Sequence, residues 1–376
     1  MILVHLQKAG HKPFVLVGGA TGMVGDPSGK SAERNLLDES TLNHNISCIK
    51  IQLEKFLDFD CGENSAELVN NYDWFKDFNV LNFIRDIGKH IPVNYMMAKD
   101  SVKSRLETGM SFTEFTYQLI QGYDFYWLHQ NKNCKVQLGG SDQWGNIVTG
   151  TELIRRKGGG EAFACTTPLI KKADGSKFGK TEEGNVWLDK KKTSPYKFYQ
   201  YWINSSDEDA ANYIRIFTLK SKDEIEAIEI QHQEAPHLRI LQKALANDIT
   251  IRVHSEEDLN AAINASEILF KKGDDAVKDL KRMSSQIFED VFEGVPQAKI
   301  AMSDIKIGIT IVEALTNKTN FLKSGGEARR ALKENSISVN KTKVNEEKLL
   351  NTDDLINGQY ILIQRGKKNY FVILVD

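Results

Sequence analysis

The 376-residue chain is poor in cysteine, with only Cys48, Cys61, Cys134 and Cys165. None forms a Cys-x-x-Cys pair, and none is followed by closely spaced histidines. Structural zinc and a dithiol redox motif are therefore not expected. Scattered thiols in so long a chain suit a reducing compartment better than a disulfide framework, so a cytoplasmic protein is expected. Long apolar runs are also missing, and no stretch approaches the length of a membrane span. Nor is charge of one sign in excess: 49 Lys and Arg stand against 51 Asp and Glu, for a net charge of -2. The chain as a whole is no generic polyanion binder, and any nucleic-acid contact must come from a local patch. No internal repeat or low-complexity segment is present. A true P-loop is missing too. Gly25-Asp26-Pro27-Ser28-Gly29-Lys30-Ser31 and Gly175-Ser176-Lys177-Phe178-Gly179-Lys180-Thr181 both end in Gly-Lys-Ser/Thr. Each is one residue short between its glycines for that pattern.

What remains is ordinary globular material, 41% apolar and 27% charged. It is enough for a sizeable core and for roughly two or three domains. Met1 to Gly10 reads as the second half of an amphipathic helix stopped by Gly10, with no Ser, Thr, Asp or Asn cap before it. Pro13 to Val17 reads as a buried strand and leads into Gly18-Gly19-Ala20-Thr21-Gly22. A half-helix feeding a parallel-type strand wants an earlier strand before it. Up to residue 168, short apolar runs such as Val80–Ile84 and Cys134–Leu138 read as strands among helices. This alternation predicts an α/β domain with a mostly parallel sheet and a ligand site beyond the strand C-termini. Residues 169–194 read as a polar Lys/Gly-rich loop, 195–268 as mostly helical and 270–307 as charged and weakly patterned. Ser255 reads as an N-cap, with Asp258 placed as the acid of a capping box. From 308 a compact α/β tail ends in two apolar runs joined by Arg365-Gly366-Lys367-Lys368-Asn369, a basic hairpin.

Four segments carry candidate chemistry. On a helix over 112–127, Tyr117, Gln121 and Asp124 stand at i, i+4 and i+7 and share one face. A phenol, an amide and a carboxylate there are costly if buried without partners, so the face reads either as a polar-ligand site or as solvent-facing. Gln137 to Asn146 ends a strand in Gly139-Gly140 and continues with Asp142 and Gln143. Paired glycines admit a flat ring or ribose, and the acid accepts from ribose hydroxyls; a plain turn is the alternative. Lys177 and Lys180 bracket a small loop suited to a polyphosphate, or to solvent. From Lys323 to Asp376, ten Lys or Arg meet seven Asp or Glu, a local excess of three. Arg329 and Arg330 lie on a capped helix within it. This basic tail suits phosphate contact, or is a solvated face.

Together these segments resemble bacterial tyrosyl-tRNA synthetases over essentially the whole chain. The matching stretches are Leu16 to Gly22, Gly25 to Ser28, Asn70-Asn71-Tyr72-Asp73-Trp74, Ser111 to Phe115, Gly139 to Asn146, Lys177 to Thr181 and Thr193 to Gln200. The tail is similar to an S4 RNA-binding domain, and Lys177 to Thr181 resembles the class I Lys-Met-Ser-Lys-Ser loop. The resemblance implies a Rossmann-like catalytic domain over 1–168, a lysine-bearing loop and linker over 169–194, a helical anticodon-side domain and linker over 195–307, and an S4-like domain over 308–376. It implies ATP-dependent activation of tyrosine to tyrosyl-adenylate, then transfer to the 3′ end of tRNA(Tyr), with Mg²⁺ accompanying ATP. Asp124 would accept from the substrate phenol. Tyr117, Gln121 and Asp26 would hold its ammonium group, with Asn71, Thr21 and Gln143 nearby. Gly140 and Asp142 would face the adenosine. Lys177 and Lys180, with Thr181, would stabilise the pyrophosphate, and Lys30 and Arg34 would guide the ATP phosphates. Arg329, Arg330, Arg365, Lys367 and Lys368 would meet RNA. A homodimer joined through the catalytic domain, with tRNA spanning both subunits, is implied as well.

The chain departs from the family pattern at its start. Members carry, upstream of the position of Met1, a first strand and a His-x-Gly-His-type motif that binds ATP. The expectation is a competent enzyme from the intact gene and little or no activity from these 376 residues alone. Two other readings stand beside this one: a tryptophan-specific relative, against which Asp124 and the Gly139–Asn146 run speak, and a non-catalytic RNA-binding relative.

Overall fold

The computed structural model describes residues 1–26, 38–103, 109–176, 178–181, 184–268, 274–366 and 369–376. It divides into two compact units, Met1–Phe178 and Gly179–Asp376.

The first unit is α/β, as the alternation of runs predicts. Its strands are β1 (Phe14–Val17), β2 (Glu67–Asn70), β3 (Val136–Gly140) and β4 (Phe163–Thr167). They form two parallel ladders, β1 with β2 and β3 with β4. Parallel neighbours need a crossover, and helices lie in both connections, Glu39–Leu53 in the first and Trp144–Arg156 in the second. The opening helix, Ile2–Lys8, stops just before Gly10, whose φ of 92° suits glycine.

The longest helix, Phe112–Lys132, is called the site helix below. It starts in a full capping box: Glu114 N–H donates to Ser111 Oγ and Ser111 N–H donates to the Glu114 carboxylate, both at 3.2 Å. It crosses the helix Trp144–Arg156 at very short range. A Cβ on Gly150 would lie 2.7 Å from Phe125 Cβ, and one on Gly122 would lie 3.0 Å from Thr149 Cγ2. Glycine at the crossing therefore sets how deep the site helix sits. Its Leu119 packs with Ile87, Ile91, Met96 and Leu153.

One expected strand is a helix. Val80–Asp86 is helical because Asn79, in an extended conformation, caps it by accepting from Asn82 N–H at 2.9 Å. The apolar run looks strand-like, yet only part of it faces inward. Phe83 joins the aromatic cluster with Phe75 and Phe78, while Val80, Leu81 and Ile84 point outward and are exposed.

In the second unit, a short hairpin of β5 (Lys180–Thr181) and β6 (Gly184–Asn185) precedes five helices between Pro195 and Ile268. Their starts follow the sequence closely. Ser194, Ser206 and Ser221 are N-caps, and Asp258 N–H donates to Ser255 Oγ at 3.0 Å. The chain ends in a five-stranded sheet of order β10-β9-β12-β13-β7. Its members are β7 (Gln297–Ile300), β9 (Ile337–Val339), β10 (Thr342–Lys343), β12 (Tyr360–Arg365) and β13 (Asn369–Val375), while β8 (Ile309–Thr310) pairs with β11 (Leu349–Leu350) separately. The expected basic hairpin is the β12–β13 pair, closing at Arg365 opposite Asn369. The sheet begins earlier than residue 308, because β7 runs parallel to β13. The weakly patterned stretch before it also holds the helices Asp274–Arg282 and Ser285–Val291. A four-residue strand whose partner lies far along the chain leaves little local signal. Ala265, Ile268, Phe288, Tyr360 and Leu362 share one core, so helices and sheet are packed together within this unit.

Candidate functional site

Polar side chains converge on the site helix from the ends of three strands. β1 runs into the short helix Gly19–Val24, which carries Thr21; β2 runs into Asn70 and Asn71; β3 runs into Asp142 and Gln143. Gly19 is needed for this approach, since a Cβ there would lie 2.3 Å from Asn70 Oδ1. Instead, the Gly19 N–H donates to that oxygen at 3.1 Å.

Asp124 is the centre of one group. It is 1% exposed. Asn71 Nδ2 donates to its Oδ2 at 3.1 Å and Trp74 Nε1 donates to its Oδ1 at 2.9 Å. Asn71 is itself fully buried and locked, because Ala20 N–H donates to its Oδ1 at 2.7 Å and its Nδ2 also donates to Thr21 Oγ1 at 2.9 Å. The Trp74 indole stacks on Trp127, with ring centroids 4.3 Å apart. Burial pushes the Asp124 carboxyl up to about 7, while the Asn71 and Trp74 donors pull the other way. Among the described residues its hydrogen-bond partners are neutral donors, and it retains capacity to accept from a further O–H or N–H.

Gln121, one helical turn earlier, is the centre of the second group. Its Nε2 donates to Gln143 Oε1 at 3.1 Å, and Gln143 Nε2 donates to Asp26 Oδ2 at 2.8 Å. Asn146 Nδ2 reaches the same Gln143 oxygen at 3.4 Å. Gln121 Oε1 is buried and has no hydrogen-bond partner among the described residues. A buried acceptor left this way costs stability, and a ligand donor would relieve it. Tyr117, on the same helix face, is buried. The side-chain stripe expected from the sequence is thus turned inward, and Thr21, Asn71, Gln143 and Asp26 are brought to it.

Gly140 and Asp142 lie at the end of β3. A Cβ on Gly140 would come within 2.6 Å of Asp142 Oδ1, so the backbone there admits only glycine without a shift. Asp142 is exposed and takes a 3.4 Å bond from Gln143 Nε2. Lys30, Arg34, Lys177, Lys367 and Lys368 lie outside the described residues, and for Lys180 and Thr181 only the backbone is described. In the tail, Arg329 pairs with Glu346 and Arg365 with Glu327, each at 2.7 Å, while Arg330 is exposed. The Arg329–Glu346 pair is exposed and therefore weak, while the Arg365–Glu327 pair is half-buried.

Sequence reasoning did not single out Trp74 as a site residue. Its signal was present in Asn70-Asn71-Tyr72-Asp73-Trp74, where two amides end a strand and an indole follows. Lys99 was also missed. Its ammonium donates to Gly145 O and Thr149 Oγ1, and burial lowers it to about 8.

The family model described as tRNA synthetases class I (W and Y) matches residues 1–271. The model described as the tyrosine–tRNA ligase SYY-like C-terminal domain matches residues 287–373. The chain is 62% identical over 381 residues to the tyrosine–tRNA ligase of Flavobacterium johnsoniae, covering 100% of this chain and 88% of that one. It is 59% identical over 380 residues to the tyrosine–tRNA ligase of Bacteroides thetaiotaomicron, with the same coverage. Among solved structures, a C-terminally truncated Aspergillus nidulans mitochondrial tyrosyl-tRNA synthetase matches with a TM-score of 0.61 and 30% identity, covering 69% of this chain and 77% of that one.

The Asp124 environment gives a pH dependence of known sign. An unfolded aspartate loses its proton near 3.8, whereas the folded one keeps it to about 7. Across that interval the folded state holds the extra proton, so stability falls as pH rises and levels off above about 7. Urea midpoints followed from pH 5 to pH 8 are expected to show this fall, and Asp124→Asn is expected to flatten it. Parallel curves for the two proteins would contradict the assignment.

Proposed function

The chain belongs to the class I tRNA synthetases of the tryptophan and tyrosine type, as a tyrosine–tRNA ligase, and we propose that Asp124 is the group by which it reads its amino acid. The reaction joins tyrosine to tRNA at the expense of ATP. In the proposed course, a tyrosine carboxylate oxygen attacks the α-phosphorus of ATP and pyrophosphate leaves. A ribose hydroxyl at the tRNA 3′ end then attacks the carbonyl of the tyrosyl-adenylate, and AMP leaves. Little covalent work falls to side chains in the first step, so alignment and charge stabilisation dominate.

The observation that carries the reading is the buried Asp124 carboxylate between Asn71 and Trp74. A phenol O–H donates to it, whereas phenylalanine would bury it against a C–H edge. Tyrosyl enzymes are themselves the reference case for this penalty, so its size is general knowledge and not a result of this structure. The unpartnered Gln121 Oε1, with Tyr117 and Asp26, suits the substrate ammonium group. Thr21, Asn71 and Gln143 hold these groups in place. Gly140 and Asp142 take the adenosine. Lys177 and Lys180, with Thr181, Lys30 and Arg34, attend the phosphates. Among the described residues no group of three or more His, Cys, Asp or Glu side chains is placed to hold a metal ion. Mg²⁺ binds largely through substrate phosphates and would arrive with ATP. Arg329, Arg330, Arg365, Lys367 and Lys368 face tRNA, and the cytoplasm is the site of action. No described helix is long and apolar enough to cross a membrane.

Apolar side chains exposed on the first unit support a homodimer as part of this reading. Val80, Leu81 and Phe112 are 66%, 74% and 79% exposed. Val80 and Leu81 sit on the helix Val80–Asp86, and that helix and the site helix both supply aromatic side chains to one core cluster, through Phe83 and through Phe115, Tyr123 and Tyr126.

Tyrosine is expected to drive ATP–pyrophosphate exchange in the full-length protein, and phenylalanine is not. Asp124→Ala should lower kcat/KM for tyrosine by about tenfold to a hundredfold, the size of a lost charge-assisted bond, with little change for phenylalanine. A folded protein that exchanges with neither amino acid, yet binds RNA, would favour the non-catalytic reading. Sedimentation should give a dimer, and Phe112→Asp should shift it to monomer. A monomer at micromolar concentration before substitution would refute the dimer.

A further inference from the structure

In the lysine loop over 177–181, whose described residues are 178–181, Gly179 is anchored on both sides. The Gly179 N–H donates to Tyr201 Oη at 3.0 Å, and the Val186 N–H donates to the Gly179 carbonyl at 3.0 Å. Between these contacts, β5 and β6 pair Lys180 with Asn185 and Thr181 with Gly184. Gly179 has a φ of 77°, and a Cβ there would meet nothing within 4 Å, so glycine is required by the backbone angle and not by space. The far end is tied as well. Trp187 N–H donates to Thr193 Oγ1 at 2.9 Å, and Thr193 is buried one residue before the N-cap Ser194.

Tyr201 stands on a firm base. Its helix, Pro195–Ile203, buries Phe198, Tyr199 and Trp202. Trp202 is edge-on to Tyr201, Tyr213 and Phe217, with centroids 5.2 to 6.1 Å apart. The phenol oxygen thus links this aromatic cluster to the glycine of the loop.

We infer that Tyr201 is a positioning residue for the phosphate step: its oxygen orders the pivot of the lysine loop before ATP arrives. This rests on the ligase reading above. A loop whose pivot is already fixed loses less freedom when its lysines engage the phosphates, and that advantage appears in the rate of adenylate formation. Tyrosine is bound by other residues and its affinity is independent of the contact.

Tyr201→Phe keeps the ring and removes only the oxygen. Deuterium uptake at the amides of residues 178–187 is expected to quicken by roughly threefold to tenfold, as for loss of one neutral hydrogen bond. In the full-length protein, kcat for tyrosine-dependent exchange is expected to fall by a similar factor while KM for tyrosine stays unchanged. Unchanged uptake, or faster uptake with an unchanged or raised kcat, overturns the inference. An equal loss in tyrosine binding would also overturn it, because it would mark a general structural defect. Absence of tyrosine-dependent exchange in the unaltered protein overturns the ligase reading and this inference with it, whereas normal exchange in both proteins overturns the inference alone.

Discussion

Burying one carboxylate with no counter-ion among the described residues is the constraint on which the site depends. Asp124 is removed from water and, among the described residues, receives two neutral N–H donors, from Asn71 and Trp74. Neutral donors offset part of the desolvation cost and leave the rest, which is why its proton is held to about 7. A stronger local solution, such as an arginine partner, would stabilise the empty protein and use up the acceptor. The arrangement keeps the carboxylate hungry for one more donor of the right reach.

Much of the first unit serves to hold that geometry. Asn71 is fixed by the backbone of Ala20 and by Thr21, so the end of β1 sets the donor that faces Asp124. The stacked Trp127 fixes the Trp74 indole, and Trp127 lies on the site helix itself. The glycine crossing at Gly122 and Gly150 sets the depth of that helix. Gln121 and Gln143 extend the same order toward Asp26. Preorganised polar groups of this kind need every neighbour in place, since a donor moved by an ångström leaves the acid both buried and unpaired.

The fold was legible where local chemistry decides structure. Gly10 ended its helix, Ser255 accepted from Asp258 N–H at the start of its helix, and Arg365 to Asn369 turned a hairpin. It was less legible where partners are distant. Val80–Ile84 has strand-like composition, but the Asn79 cap and the inward Phe83 made it a helix. β7 was hidden because its partner, β13, closes the chain. In the site, the spacing of Tyr117, Gln121 and Asp124 already placed three groups on one face. Nothing in that spacing points to Trp74, which reaches Asp124 only because β2 delivers it there. Likewise the tail arginines were visible as charge, but not their pairing with Glu346 and Glu327.

The most direct test of this account is a carboxyl ¹³C NMR titration of Asp124, made with and without bound tyrosine. The account expects a midpoint near 7 in the free protein and a clearly lower one with tyrosine, because a phenol donor favours the ionised form. A midpoint in the ordinary aspartate range in both states, or one that tyrosine does not move, would contradict it.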